Sequence, residues 1–411
     1  MEGCYWLMNF KKFRQRKIIL LLIILYILLV PSPISGDTGG ETTAEEQMED
    51  ELDQIMDQPE IDQLRDHWEE LDQEMSEYIP DLSFRDLFYM IVGEEEGFSL
   101  AQVFSGLLQF FLHEVIVNFR LLGKVIVLTV IAALLTALQG AFANEKVARL
   151  AHTVIYFAVV IIALQSFYLA VDIGREAVSS MVDIILAMVP LLLTLLASMG
   201  AVTTVAIFHP ISIFLINTFS TLINNVIFPL LLFSAVLSVI SHLNPKFKVS
   251  SLAGLFQNIS ITAIGFFLTI FIGIMGLQGV GGAVADGISI RAAKFLTGSF
   301  IPVIGKALSD AVETVMGASL VLTNSVTMAG AIILFFVTIF PALKILALVF
   351  VYKLAASLLE PLGETSIPES LGTMSKCLTW VFAGVATVSI MFFIAMAAIV
   401  GAANVSMMIR G

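Results

Sequence analysis

From Phe98 onward the chain alternates long apolar runs with short polar interruptions, a pattern that asks of each run whether it crosses a bilayer. About 20 apolar residues in a helix suffice for that. Phe98 to Phe119 is apolar but contains His113 and Glu114 and is followed by Arg120, so it reads as an interfacial helix leading into a first span over Leu121 to Ala143. Asn144 to Arg149 is a short loop with Lys146 and Arg149, cytoplasmic by the positive-inside rule. A second span over Ala151 to Val171 returns outside, where Asp172, Arg175 and Glu176 predict a mixed loop. Val178 to His242 is one apolar tract interrupted by Pro190, Pro210 and Pro229, with Asn217, Asn224 and Asn225 as polar points. Its far end, Asn244 to Ser251, carries Lys246 and Lys248 and is again cytoplasmic, so the tract must hold an odd number of crossings. One full span with a re-entrant hairpin satisfies that, as do three short spans. Asn258 to Val284 crosses outward and is glycine-rich, which lets helices approach closely in lipid. Met328 to Leu359, bent near Pro341, and Cys377 to Ala403 are the remaining apolar tracts, joined by a loop over Glu360 to Lys376.

Upstream of Phe98 the pattern is different. Lys11, Lys12, Arg14, Arg16 and Lys17 precede the apolar run Ile18 to Val30, and small or turn residues follow to Gly36. This is the layout of a secretory signal peptide over residues 1–36, with an uncleaved anchor as the alternative; both place Asp37 onward outside the cytoplasm. Residues 37–97 form an acidic extracytoplasmic segment. Within it Ile61, Leu64, Trp68, Leu71, Met75 and Tyr78 follow a 3,4 spacing that predicts an amphipathic helix ended by Pro80. Its single apolar stripe requires a surface, either the chain's own membrane domain or a partner's helix.

Asp286 to Asn324 stands apart because it places Asp286, Arg291, Lys294, Lys306, Asp310 and Glu313 between apolar tracts. A charge at the bilayer centre costs about 3 kcal/mol even on lenient scales, so such residues are candidates for an intramembrane polar pathway or for ion pairs. Pro302 and Gly305 break the pattern midway and predict two half-length helices folded as a re-entrant hairpin. That fold sets Lys294 level with Glu313. Lys306, Asp310 and Glu313 recur at i, i+4 and i+7 and share one helix face. The competing reading is an amphipathic pair lying in the interface with its charges solvated.

Composition sharpens the picture. The 411 residues are 58% hydrophobic and 13% charged, with a mean hydropathy of +0.94, outside the range of soluble globular domains. The net charge of -13 is concentrated before Phe98, which excludes a basic nucleic-acid-binding surface there. Two cysteines, Cys4 and Cys377, offer neither a disulfide framework nor a metal cluster. Ile304-Gly305-Lys306 fails as a phosphate loop because Phe300 and Ala307 stand where Gly and Ser/Thr are needed, and His113-Glu114 never completes a zinc-protease motif. The expectation is a protein that is not an enzyme and holds no cofactor. Pro190 and Pro302 are 112 residues apart, as are Phe228-Pro229 and Phe340-Pro341, which suggests a parallel duplication over residues 145–256 and 257–369. The fold class expected is all-α: a polytopic membrane helix bundle over 98–411 with a re-entrant polar hairpin.

The stretches FSLAQVFSGLLQFFLHEVI, LLLTLLASMGAVTTVAIFHP, FPLLLFSAVLSVIS, VADGISIRAAKFLTGSFIPVIGK and FPALKILALVF resemble the stage III sporulation protein AE family of endospore-forming bacteria, over roughly residues 98–405. The resemblance implies a subunit of the envelope-spanning channel or export complex between mother cell and forespore, seated in the mother-cell membrane around the forespore. It implies as partners the other stage III sporulation A proteins, including a cytoplasmic ATPase, and stage II sporulation protein Q. It implies no catalytic residues. A secondary transporter with its own solute site at the charged hairpin, or a purely structural scaffold, are the alternatives that the residues leave open.

Overall fold

The computed structural model describes residues 100–139, 145–243, 249–300, 304–362 and 366–410, together with Arg65, Trp68, Glu69, Glu77 and Tyr78; side chains at the ends of several helices are excluded. The chain divides into two units, Met1–Glu51 and Leu52–Gly411, and every described element belongs to the second. That unit is helical throughout its described length: α1 (Leu100–Gln139), α2 (Glu145–Ser198), α3 (Val202–Leu222), a π-helical turn (Ile223–Ile227), α4 (Phe228–Leu243), α5 (Ser250–Phe300), α6 (Ile304–Leu359), a 3-10 turn (Glu360–Leu362) and α7 (Ser366–Arg410). Among the described residues, six helical stretches are long and apolar enough to cross a membrane, α3 and α4 counting as one. The described residues are thus all-helical, and their long apolar helices are compatible with the membrane bundle expected from hydropathy.

Several boundaries differ from those the sequence predicts, and each has a physical reason. α1 is one continuous helix, so the interfacial segment and the first span are not separate elements. Asp172, Arg175 and Glu176 do not form a loop. They lie inside the 54-residue α2, where Asp172 and Glu176, four residues apart, turn the same way and are exposed without breaking the helix. The chain reverses instead at Met199–Ala201, where Gly200 takes φ 77, a conformation that only glycine adopts without strain. Residues 366–376, predicted as loop, are the first turns of α7.

The prolines do not punctuate the fold as expected. Pro190, Pro210 and Pro341 lie inside helices, and Pro229 is the second residue of α4. A helix interior tolerates proline only where the freed backbone groups are re-satisfied. Immediately before Pro229 the helix widens into the π-helical turn, in which the N–H of Phe228 reaches back five residues to the Ile223 carbonyl. Pro190 lies within α2, and Pro302 lies outside the described residues.

α7 lies at the centre: from Leu371 to Ala403 its buried residues include Met374, Cys377, Leu378, Val381, Val385, Ala395 and Ile399. It packs on α6, α5, α2 and α4. Gly174 of α2 admits Val381 and Val385 of α7 and Phe228 of α4, and Gly384 of α7 lies against Phe228. At Gly330 of α6 a β-carbon would overlap the thioether of Met188, which fills that space.

Two residues of the amphipathic stripe, Trp68 and Tyr78, are described, and both meet the chain's own helices. Trp68 is buried, with its ring 6.1 Å from Phe336 of α6 in an edge contact. Phe336 continues to Phe340, Phe340 to Phe110 of α1, and Phe110 to Tyr78, an aromatic chain that links Trp68 and Tyr78 through α6 and α1. The remaining stripe residues, Ile61, Leu64, Leu71 and Met75, lie outside the described residues, as does the leader.

Candidate functional site: a carboxylate clamp and a polar helix face

A helix that begins immediately after a tight turn leaves its first backbone N–H groups without partners. In α3 those groups belong to the residues after Ala201, which forms no side-chain cap. The missing acceptor comes from 83 residues further along the chain. Asp286 of α5, only 2% exposed, accepts the Thr203 N–H at Oδ1 and the Thr204 N–H at Oδ2, both at 2.8 Å. A carboxylate at a helix N-terminus is stabilised by both hydrogen bonds and the helix dipole, which is how a charge is tolerated there. The approach needs glycine on the clamp's own helix: a β-carbon at Gly282 would stand 2.7 Å from Thr204 Oγ1 and 3.0 Å from its Cα.

The same end of the bundle gathers other polar contacts. Ser198 Oγ donates to Ser319 Oγ at 3.0 Å, tying the end of α2 to α6. Thr323 donates to the Ser319 carbonyl at 2.7 Å and lies 3.9 Å from the Met199 sulfur. Along the α3/α5 seam Phe219 meets Phe271 edge-on, Phe208 approaches Gly279, and Thr204 meets Gly282. Within this seam the Thr204 and Ser212 hydroxyls and both amide atoms of Gln278 are buried without a hydrogen-bond partner in the protein. Such groups are normally matched by ordered water.

Of the six charged residues that the sequence singles out, Asp286 is thus a clamp on backbone groups, a role no side-chain spacing encodes. Arg291 is exposed on α5. The side chains of Lys294, Lys306, Asp310 and Glu313, and with them the Lys294–Glu313 pairing, lie outside the described residues. The backbone there is helical: α5 continues from Asp286 to Phe300, and α6 begins at Ile304, well before the Ser319 that meets Ser198. The two helices therefore run on past the level of the Gly200 turn.

Sequence reasoning missed the outward face of α2. Asp172, Glu176, Ser179 and Asp183 are all exposed on it. Asn224, in the π-helical turn, lies 3.5 Å from Ser179 Oγ. The signal was present as a spacing of four, three and four residues, which places all four on one side of a helix.

A sequence profile of the stage III sporulation protein AE family matches residues 82–403. A Bacillus subtilis (strain 168) protein named "Stage III sporulation protein AE" is 42% identical over 351 residues, covering 85% of this chain and 88% of that protein. No solved structure matches the chain.

Proposed function

The chain belongs to the stage III sporulation protein AE family, and from that premise we propose that it is an integral-membrane subunit of the channel or export complex between mother cell and forespore. It works there as a platform component energised by a partner rather than as an enzyme. Its partners in this reading are the other stage III sporulation A proteins, including a cytoplasmic ATPase, and stage II sporulation protein Q. Its place is the mother-cell membrane around the forespore, with residues 37–97 outside the cytoplasm.

The observation that carries the platform reading over a self-contained transporter is the engagement of Asp286. Both of its oxygens accept backbone N–H groups that hold the α2/α3 hairpin to α5. A carboxylate so occupied fixes helices: it ties the start of α3 to α5. Membership of a sporulation family supports the setting.

Autonomy tests the proposal. The purified chain in vesicles should move no solute alone, whereas the assembled complex should depend on it in sporulating cells. Solute transport by the isolated chain would favour the transporter. Lys294→Met, Glu313→Met and the double substitution refine the test. If those charges line a conduit, the double variant should regain abundance and not sporulation, because the polar path is lost. If they only hold helices together, it should regain both.

A further inference from the structure

Two hydrogen bonds fix the height of α6 against α2. Tyr352 donates to the Ala163 carbonyl at 2.7 Å and Ser198 donates to Ser319 at 3.0 Å, so the two helices run antiparallel and in step. The outward face of α2 exposes large apolar residues from Leu150 to Leu169, a band about 29 Å tall at 1.5 Å per residue, the thickness of a bilayer's hydrocarbon core. Past it Asp172, Glu176 and Asp183 are exposed, which marks the level of water. The upper part of α6 lies at that level and beyond. Phe335 stands level with Met181 to Asp183 of α2, about 18 Å past the band, and Ser319 stands level with Ser198.

There α6 carries an outward stripe of its own. Gly317, Val321, Asn324, Met328, Ala331 and Phe335 recur at intervals of four, three, four, three and four residues, the spacing of a coiled-coil seam. Val321 is 44% exposed, Met328 42% and Phe335 38%, and they alternate with half-buried Gly317, Asn324 and Ala331. A β-carbon at Gly317 would meet nothing within 4 Å. No residue from Gly317 to Phe335 is charged. Acyl chains do not reach this height and water leaves an apolar stripe unsatisfied, so it calls for a protein covering. Asn324 sits in the middle of the seam, and its Oδ1 is buried without a hydrogen-bond partner. A lone Asn among apolar seam positions is how a parallel helix pair selects its register, amide against amide. The side chain is half-buried and its terminal torsion is roughly two-fold, so either end of the amide can turn to the seam.

We infer that this seam joins the chain to a second copy of itself, α6 against α6, parallel and in register, with Asn324 opposite the partner's Asn324. Copies inserted in one membrane share orientation and height, so like positions meet like and only a face free of charge pairs with itself. The carboxylates of α2 exclude that face. A seam this short would hold two free helices poorly, but copies standing upright in one bilayer meet already oriented, which lowers the cost of association. The pairing needs only that copies share a membrane, whatever complex they serve.

The test uses the full chain in a Cys4→Ser, Cys377→Ala background, reconstituted in phosphatidylcholine vesicles at high lipid excess. Val321→Cys and Met328→Cys should each give disulfide-linked dimers on oxidation, whereas Leu277→Cys, 79% exposed on α5 and off the seam, should not. Met328→Glu sets like charges against each other and should weaken association roughly tenfold at unchanged melting temperature, read by energy transfer between copies labelled at Ser289→Cys, an exposed position of α5. Asn324→Leu should move pairs toward larger assemblies, since the lone Asn limits the seam to two strands; pairs left unchanged by it overturn the Asn324 contact. Equal dimer yields from Leu277→Cys and the two seam variants mean random collision and overturn the pairing. So do monomers by mass at every dilution, crosslinking of the Met328→Cys thiol only to another protein in the assembled complex, or quenching of a fluorophore on that thiol by lipids brominated along their acyl chains, which makes lipid the covering. If copies are monomeric while sporulation still depends on the chain, the seam is wrong and the proposed function stands.

Discussion

The two ends of the bundle are held by different chemistry. At the Gly200 end a carboxylate, Asp286, closes the start of α3. At the other end buried neutral hydroxyls make the ties, with a carboxylate contact, His242 to Glu369 at 3.8 Å, beside them: Tyr156 donates to the Val239 carbonyl at 2.9 Å and pairs with Ser370 at 2.8 Å, while Tyr352 donates to the Ala163 carbonyl at 2.7 Å. Ser234 to the Ala253 carbonyl and Ser375 to the Val349 carbonyl add two more. The difference follows from what each end must satisfy. Carbonyls in mid-helix are already bonded and accept a second donor as a bonus, so a phenol suffices. N–H groups at a helix start are unmet, and two of them in an apolar setting call for a strong acceptor.

The comparison predicts an order of effects. Asp286→Ala should be the most damaging, on the order of 3 kcal/mol, because it leaves the buried Thr204 N–H and the part-buried Thr203 N–H without their acceptor at once. Asp286→Asn, which keeps an acceptor but loses the charge, should recover part of it; equal damage from both in a detergent melting series would break the contrast. Gly282→Ala comes next, since the obstruction includes the Thr204 Cα as well as its hydroxyl, and should cost roughly 1 to 3 kcal/mol by pushing α3 off α5. Gly330→Ala should cost less than Gly282→Ala, because Met188 can rotate away; adding Met188→Ala should recover abundance if overpacking is the cause. Tyr352→Phe should cost only about 1 kcal/mol, as the Ala163 carbonyl keeps its helical bond. A Tyr352→Phe variant as unstable as Asp286→Ala would show that the two ends are not distinguished by charge.

Trp68→Ala probes a separate attachment. It should release the acidic segment to protease at unchanged stability of the helices, read by cleavage near residues 60–80 of the purified protein; unaltered resistance would mean that the aromatic chain through Phe336 and Phe110 is not what holds it.

The spans were legible because the signal for a buried helix in lipid is hydrophobic length alone, and each apolar run provides it. The turn at Gly200 was not. One glycine in LASMGAVT is weak punctuation beside Pro190, yet the proline sits in a helix and the glycine makes the reversal. Charges misled in the same way. Asp172 and Glu176 look like a loop when read along the chain, but they are one face when read around a helix. The importance of Asp286 was visible from the cost of placing it in an apolar tract. Its role was not, because its partners are backbone groups that every residue possesses and that only the fold brings near.

The separation of the clamp along the chain sets a schedule. A ribosome delivers the α2/α3 hairpin to the membrane before it has made Asp286, which follows Thr203 by 83 residues. At roughly 5 to 20 residues per second that interval is about 4 to 17 s. During it the nascent hairpin holds its tip without the acceptor that will close it. Insertion machinery, a chaperone or water at the membrane surface must shelter the tip until α5 arrives, which makes those seconds the most exposed interval in the birth of this protein.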